Sequence, residues 1–519
     1  MNAKRRAASL LLGIVLAACA NTPTSPTPAG SAGAPTPAAP SGAVVVEPTP
    51  APMTAPPTAA PTTSPTPAPS APSPTSAPLP APPASLPVAG TGDESIRMVP
   101  QPGGGLYVSI PAAGGTVLAS LDRVGRLRPG WPIVVAGYSG CEIAADPVDG
   151  FVRAVCATYH PSGTRAFAYD GAGRQLAGWP VDLPGGSVDE WRRERPRVVD
   201  GQLYVVTRSW DPPSATLVRV SAEGTVRTGA NLWGLVAGDS PAWSIGEVAI
   251  GLDGTAYAMA YSDDSATQMI AVDLGGLRPG WPIRIDGYAS RPAFGPGGRI
   301  YVTVGLPDGS STQVLVFTPE GRSVPGWSTE LPVAAPRVWD GAGDPPPAAP
   351  VVASNGSAYV VTEEGDDNYP PHGGTRAYAL DRSGNLRPGW PFRTSTGLVW
   401  LGECACATGC GQSRSDQVAG PDGSLYLLQV APNAGTGGSI LAVGKDGAVK
   451  AGWPVVLRRE GAEFSSVVVG PDGTAFALAI EPERYEQTEC GTAIPVSSAT
   501  ILAIEPDGTV RYRVTVAEP

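Results

Sequence analysis

An all-β fold, an eight-bladed β-propeller of four-stranded antiparallel blades, is what this 519-residue chain predicts, and three observations carry the prediction. The phrase LRPGWP stands complete at Leu127 to Pro132, Leu277 to Pro282 and Leu386 to Pro391, with looser copies at Leu176 to Pro180, Val324 to Trp327 and Val449 to Pro454. It marks a recurring unit of roughly 50 residues, the size of one propeller blade. From residue 95 onward each unit shows the same order of signals: an apolar stretch, a tight turn, a strand bearing Tyr or Phe, a variable loop, another apolar strand, a second tight turn and the Trp segment. The start near Ser95 and the end near Glu518 both fall at whole-unit boundaries.

The first element is an export signal. Lys4, Arg5 and Arg6 precede an apolar run from Ala7 to Ala18 that is too short to span a bilayer. The run ends Leu16-Ala17-Ala18-Cys19, which resembles the lipobox of bacterial lipoproteins. That resemblance implies cleavage after residue 18 and a lipid on Cys19, an anchor to the extracytoplasmic face of a cell membrane without a spanning segment.

Residues 19–92 form the second element, a lipidated cysteine followed by a Pro-, Thr-, Ser- and Ala-rich linker that cannot bury enough apolar surface to offset chain entropy. A disordered tether is expected, extending at about 3.1 Å per residue where it is polyproline-like. Its composition also suits O-glycosylation. Residues 93–519 are the propeller. The formal charge of −11 provides no general attraction for nucleic acid. The one basic group beyond the signal, Arg192, Arg193 and Arg195, is broken by Glu194 and reads as a solvated loop.

Within each unit the turns come next. Pro421-Asp422-Gly423 and Pro471-Asp472-Gly473 sit between apolar runs, where Pro sets the first turn angle and Gly supplies a positive φ. Leu252-Asp253-Gly254, Pro296-Gly297-Gly298 and Ser354-Asn355-Gly356 vary the theme. No unit has the Asp-x-Asp-x-Asp spacing of a calcium loop, so these aspartates read as turn formers.

Arg-Pro-Gly-Trp-Pro lacks two ladder donors and belongs at a sheet edge, which makes it the outermost strand of its blade. Trp131, Trp179, Trp281, Trp327, Trp390 and Trp453 should then fill the gaps between blades. The third unit carries Thr228-Gly229-Ala230 instead, and the eighth ends in Arg511-Tyr512-Arg513. Ring closure is expected blade against blade, without a shared blade, which leaves the closing seam the weakest joint.

Gly356, Tyr359-Val360, Ala379-Leu380-Asp381, Gly384 and Trp390 together resemble the quinoprotein-type (PQQ-like) propeller repeat, and the resemblance covers residues of about 95 to 516. That family includes quinone-dependent dehydrogenases and non-catalytic members, among them an eight-bladed lipoprotein that supports outer-membrane protein assembly. The lipobox resembles the second kind. The chain lacks the Thr-Gly that often precedes Trp in the dehydrogenases and has no adjacent cysteine pair, so no cofactor is expected. A monomeric binding or scaffolding module is the function this implies; a quinone-dependent dehydrogenase or a propeller-type carbohydrate hydrolase or lyase is the alternative.

The first and third connections of each unit are short and uniform, whereas the others are long and irregular, including Gly185 to Pro196, Ser209 to Ser214, Trp339 to Pro350, Glu363 to Gly374, Gly402 to Asp416 and Glu481 to Ser498. Variable loops on a rigid scaffold are where binding resides, so a protein or glycan partner is expected on that face, near Glu363, Asp366, Tyr369 and Tyr485. His160 and His372 fall in the same set of loops and could act as ligands or bases.

Setting Cys19 aside, six cysteines remain in an exported domain, an even number that points to disulfides. Cys141 and Cys156 flank a turn and should face each other across one hairpin. Cys404, Cys406, Cys410 and Cys490 fall in two long loops, where one local bridge and one inter-blade bridge, from Cys404 or Cys406 to Cys490, are expected; a metal site built on Cys-x-Cys-x-x-x-Cys is the alternative. No nucleophile elbow, phosphate loop or zinc-helix motif is present.

Overall fold

The computed structural model describes residues 86–87, 96–159 apart from 113 and 139, 162–185, 195–210, 213–236, 244–261, 266–305, 311–332, 348–363, 375–394, 417–429, 437–487 apart from 460, and 493–517. Eight sheets follow one another along residues 97–517, and within those residues the strands of each are antiparallel and lie side by side in sequence order. Blade 1 contains Arg97–Pro100, Leu106–Ala112, Gly115–Leu121 and Ile133–Ala136. The first strands of blades 2 to 8 are Cys141–Ala145, Arg197–Val199, Ser244–Ile250, the split pair Tyr288–Ala289 and Ala293–Phe294, Val351–Val352, Val418–Ala419 and Glu463–Val469. Neighbouring blades meet in order, and Arg97–Pro100 packs beside Glu463–Val469 to close the ring. The chain folds as an eight-bladed β-propeller.

Its core is a set of eight wedges, one between each pair of neighbouring blades. The two middle strands of every blade supply most of it, because both of their faces are covered and alternate side chains enter opposite wedges. In blade 7, Leu425–Gln429 is buried along its whole length: Tyr426 and Leu428 join the wedge toward blade 8, Leu425 and Leu427 the one toward blade 6.

The Trp segment fastens one blade to the next. Each of its six tryptophans is buried, and each indole Nε1–H donates to the second residue of the next blade's outer turn. Trp179 to the Ala222 carbonyl, at 2.9 Å, is the shortest of these bonds. In five of the six segments the preceding glycine has no room for a side chain: a Cβ on Gly130 (φ 86°) would lie 2.0 Å from the Ala172 oxygen of blade 2, and one on Gly452 (φ 83°) 1.8 Å from the Asp507 oxygen of blade 8. Five of the six Trp residues are followed by a cis proline.

Two joints lack the latch, as the sequence indicates. After blade 3 the single turn Leu232–Leu235 replaces it, with Leu232 fully buried in the wedge toward blade 4 and the Asn231 Oδ1 accepting from Ala215 N and Trp233 N. At the closing seam Tyr512 is buried in the wedge between blades 8 and 1, and Arg511 Nη1 donates to the Arg123 oxygen, the equivalent turn carbonyl, at 3.4 Å.

The seam has a further fastening. Leu86–Pro87, read from sequence as linker, runs parallel to the last strand, Val510–Ala517, as a fifth strand of blade 8, with Leu86 opposite Val516. Leu86 is completely buried in the wedge shared by blades 8 and 1. Residues ahead of blade 1 therefore clasp blade 8, and closure is more than blade against blade.

Two expected loops are ladders. Ala475–Gln487 pairs with Ala493–Ile504 out to Gln487 and Ala493, so most of Glu481 to Ser498 is a β-hairpin arm. The register shifts between Pro482 and Arg484, a bulge that accommodates a proline without an N–H. Gln202–Trp210 likewise pairs with Pro213–Val220 up to Trp210 and Pro213.

Candidate functional site: the axial cavity and the loop face

Antiparallel blades laid out in chain order put all first and third connections on one face. That face is uniform. Gly104 N to Gln101 O and Gly125 N to Asp122 O, both 3.0 Å, close the two turns of blade 1, and the same closure recurs around the ring. The turn aspartates act as the sequence predicts: Oδ1 of Asp122, Asp253, Asp381 and Asp422 accepts from the backbone N–H two residues on.

A cation from the outer strand then ties down the inner turn of the same blade. Arg278 Nη1 donates to Asp253 Oδ2 at 2.8 Å and Thr255 Oγ1 at 2.7 Å, and Lys450 Nζ to Asp422 Oδ2 at 2.8 Å. Burial opposes ionisation of Asp253, but hydrogen bonds from Thr255 and Arg278 outweigh it and hold the carboxyl below its usual 3.8. Asp422 is lowered in the same way, burial being outweighed by Lys450 and Ser424. Tyr257 beneath this turn is pushed up to about 12 by burial and by the charge of Asp253.

The opposite face receives the long connections, those joining Leu183 to Arg197, Leu331 to Val351, Glu363 to Thr375 and Arg393 to Val418. Of the residues expected to bind there, Glu363 ends its strand opposite Thr375 and Tyr485 lies in the hairpin arm opposite Pro495. His160, His372, Asp366, Tyr369, Cys404, Cys406, Cys410 and Cys490 lie outside the described residues, as does Cys19. Cys141 and Cys156 do face each other in blade 2 and are joined, with an S–S length of 2.02 Å.

On the axis, the inner strands of blades 1 to 6 line a cavity of about 520 Å³. Its walls are mainly apolar, with Ile143, Val248 and Phe294 among them, and among the described residues its charged side chains are Arg195, Arg197 and Arg291. Two local features position these arginines. Arg195 and Arg197 enter blade 3 around Pro196, and the inner strand that follows is only three residues long, so Arg197 stands opposite Tyr204 close to the first turn. Arg291 lies in a bulge of blade 5, where four steps from Ala289 to Ala293 face three from Val304 to Tyr301. Bulges redirect side chains out of the strand alternation.

Arg197 is the best anchored. Its Nη1 donates to the Ile250 oxygen at 2.7 Å, and its guanidinium lies 5.9 Å from the centre of the Phe294 ring. Burial lowers its pKa against the opposing pull of Asp253. In blade 1, Arg97 is paired with Glu142 of blade 2 at 2.5 Å. Sequence reasoning placed Arg195 in a solvated loop and did not single out Arg197 or Arg291; only the ring brings positions almost 100 residues apart to one axis.

No family model matches the chain, and no curated protein matches it. Among solved structures, the β-propeller domain of the Trilobed protease from Pyrococcus furiosus aligns over 72% of this chain and 96% of that one, at 10% identity and a TM-score of 0.39. Prolyl oligopeptidase B from Galerina marginata aligns over 80% of this chain and 56% of that one, at 12% identity and 0.40. A eukaryotic initiation factor aligns over 83% and 91%, at 10% identity and 0.43.

Proposed function

We propose that this protein is a binding module held at the extracytoplasmic face of a membrane by a lipid on Cys19, and that it presents the loop face of its propeller to a protein or glycan partner. The observation that carries the reading is the unequal treatment of the two faces. One is fixed by repeated turns, Trp latches and Arg or Lys ties, while the long connections and the hairpin arm all emerge on the other. A rigid scaffold with its variation confined to one side is how binding loops are displayed. Fold alone does not supply the partner.

The test has two parts. Cys19→Ala should move the protein from the membrane to the soluble fraction of cells. Cross-linking in intact cells should yield a defined adduct that is lost when residues 364–374 and 395–416 are replaced by short Gly-Ser links. Adducts that survive the loop replacement would remove the loop face from the reading.

A further inference from the structure

We infer that the axial cavity is a binding site for a small organic oxyanion, a carboxylate or phosphate ester of about sugar size, gripped by Arg195, Arg197 and Arg291. Three arguments support it. A volume of about 520 Å³ lies within the range of small-molecule sites, and apolar walls with a few convergent polar groups are their usual composition.

The cavity's charge also runs against that of the molecule. The chain carries −11 overall, yet among the described residues the charged side chains lining the cavity are three arginines, with no carboxylate. Guanidinium groups present planar pairs of N–H donors that match carboxylate and phosphate oxygens. The negative surroundings disfavour a polyanion and leave a compact ligand of one or two charges.

Finally, the site is preorganised. Arg197 is held by the Ile250 carbonyl and by Phe294 on different blades, so ordering it at the moment of binding costs little. Arg197 is half-buried, and loss of solvent is the leading influence that disfavours its charge, an effect an approaching anion offsets. The bulge at Arg291 is the sort of irregularity that aims a side chain at a site. This inference concerns the axis and stands whether or not the loops bind a partner.

The test is calorimetric titration of the full chain with glucuronate, glucose 6-phosphate and, as the neutral counterpart, glucose. At least one of the two anions should bind with a Kd below about 1 mM while glucose does not, and which anion binds more tightly identifies the oxyanion. Affinity should fall at least tenfold in Arg291→Gln and Arg195→Gln, whose melting midpoints should match that of the wild type, and should weaken as salt rises from about 50 to 500 mM. Neither anion binding better than glucose, or anion binding indifferent to both substitutions, would overturn the assignment.

Discussion

The guanidinium of Arg153 lies 5.6 Å from the ring centre of Trp179, in the place where five other blades pair a tyrosine with their own tryptophan. Those Tyr–Trp pairs have centroids 5.2 to 5.5 Å apart. A cation over the indole face thus replaces an aromatic contact within the same architecture. The exchange has a cost: Arg153 is 1% exposed, its Nε and Nη1 have no hydrogen-bond partner among the described residues, and burial lowers its pKa.

Arg153→Tyr should therefore stabilise the protein by about 1–3 kcal/mol, since it removes a buried cation with unpaired donors and restores the pair used elsewhere. Chemical denaturation followed by Trp fluorescence measures it. A loss of stability would mean that the arginine is better accommodated than its contacts show.

The latch at Trp327 separates into packing and hydrogen bonding. Trp327→Phe keeps most of the ring and loses the bond to the Arg382 oxygen, which should cost about 1–2 kcal/mol. Trp327→Ala should cost about 3–5 kcal/mol, because the side chain is 1% exposed and the wedge cannot close over the hole. Equal losses in the two variants would show that the hydrogen bond dominates.

The turn aspartates set an acid limit. Asp253 and Asp422 have folded pKa values below 3.8, so the stability they contribute is complete well above that value and is lost as pH falls through it toward their folded pKa. The melting midpoint should be level above about pH 5 and drop below pH 4. Asp253→Asn should melt below the wild type on the plateau, and the gap should narrow on acidification. A gap constant from about pH 6 to 3 would contradict this assignment.

The clasp strand gives the fourth prediction. A chain beginning at residue 93 lacks Leu86, which is fully buried between blades 8 and 1, and should be less stable by about 2–4 kcal/mol. Leu86→Asp in the full chain should lose a similar amount. Unchanged denaturation of both would show that the ring closes without it.

The repeat made most of the fold legible. Trp, Pro and Gly are punctuators whose physical demands are strict, so their recurrence located the turns and the two atypical joints at Thr228 and Arg511. The Trp segment itself, expected to be the outermost strand, is in five of its six copies a turn closed by Trp N–H, with the outer strand starting just after it, at Ile133 in blade 1. Leu86 could not be read, since one apolar residue among prolines has no periodicity and its partner Val516 lies at the far end of the chain. The hairpin arm was read as a loop because Pro482 and Pro495 interrupt its alternation, and a bulge absorbs the first of them. The axial arginines were invisible for a different reason. Arg195, Arg197 and Arg291 belong to different blades or to a broken run of charge, and only the curvature of the ring brings them together.

Site-specific photo-cross-linking in intact cells tests the division of the two faces most directly, with the reactive residue placed at Tyr485 in the hairpin arm of the loop face or at Val148, 86% exposed on the turn face. A defined adduct from position 485 and none from 148 is the predicted result. An adduct from 148 alone would contradict the loop-face account.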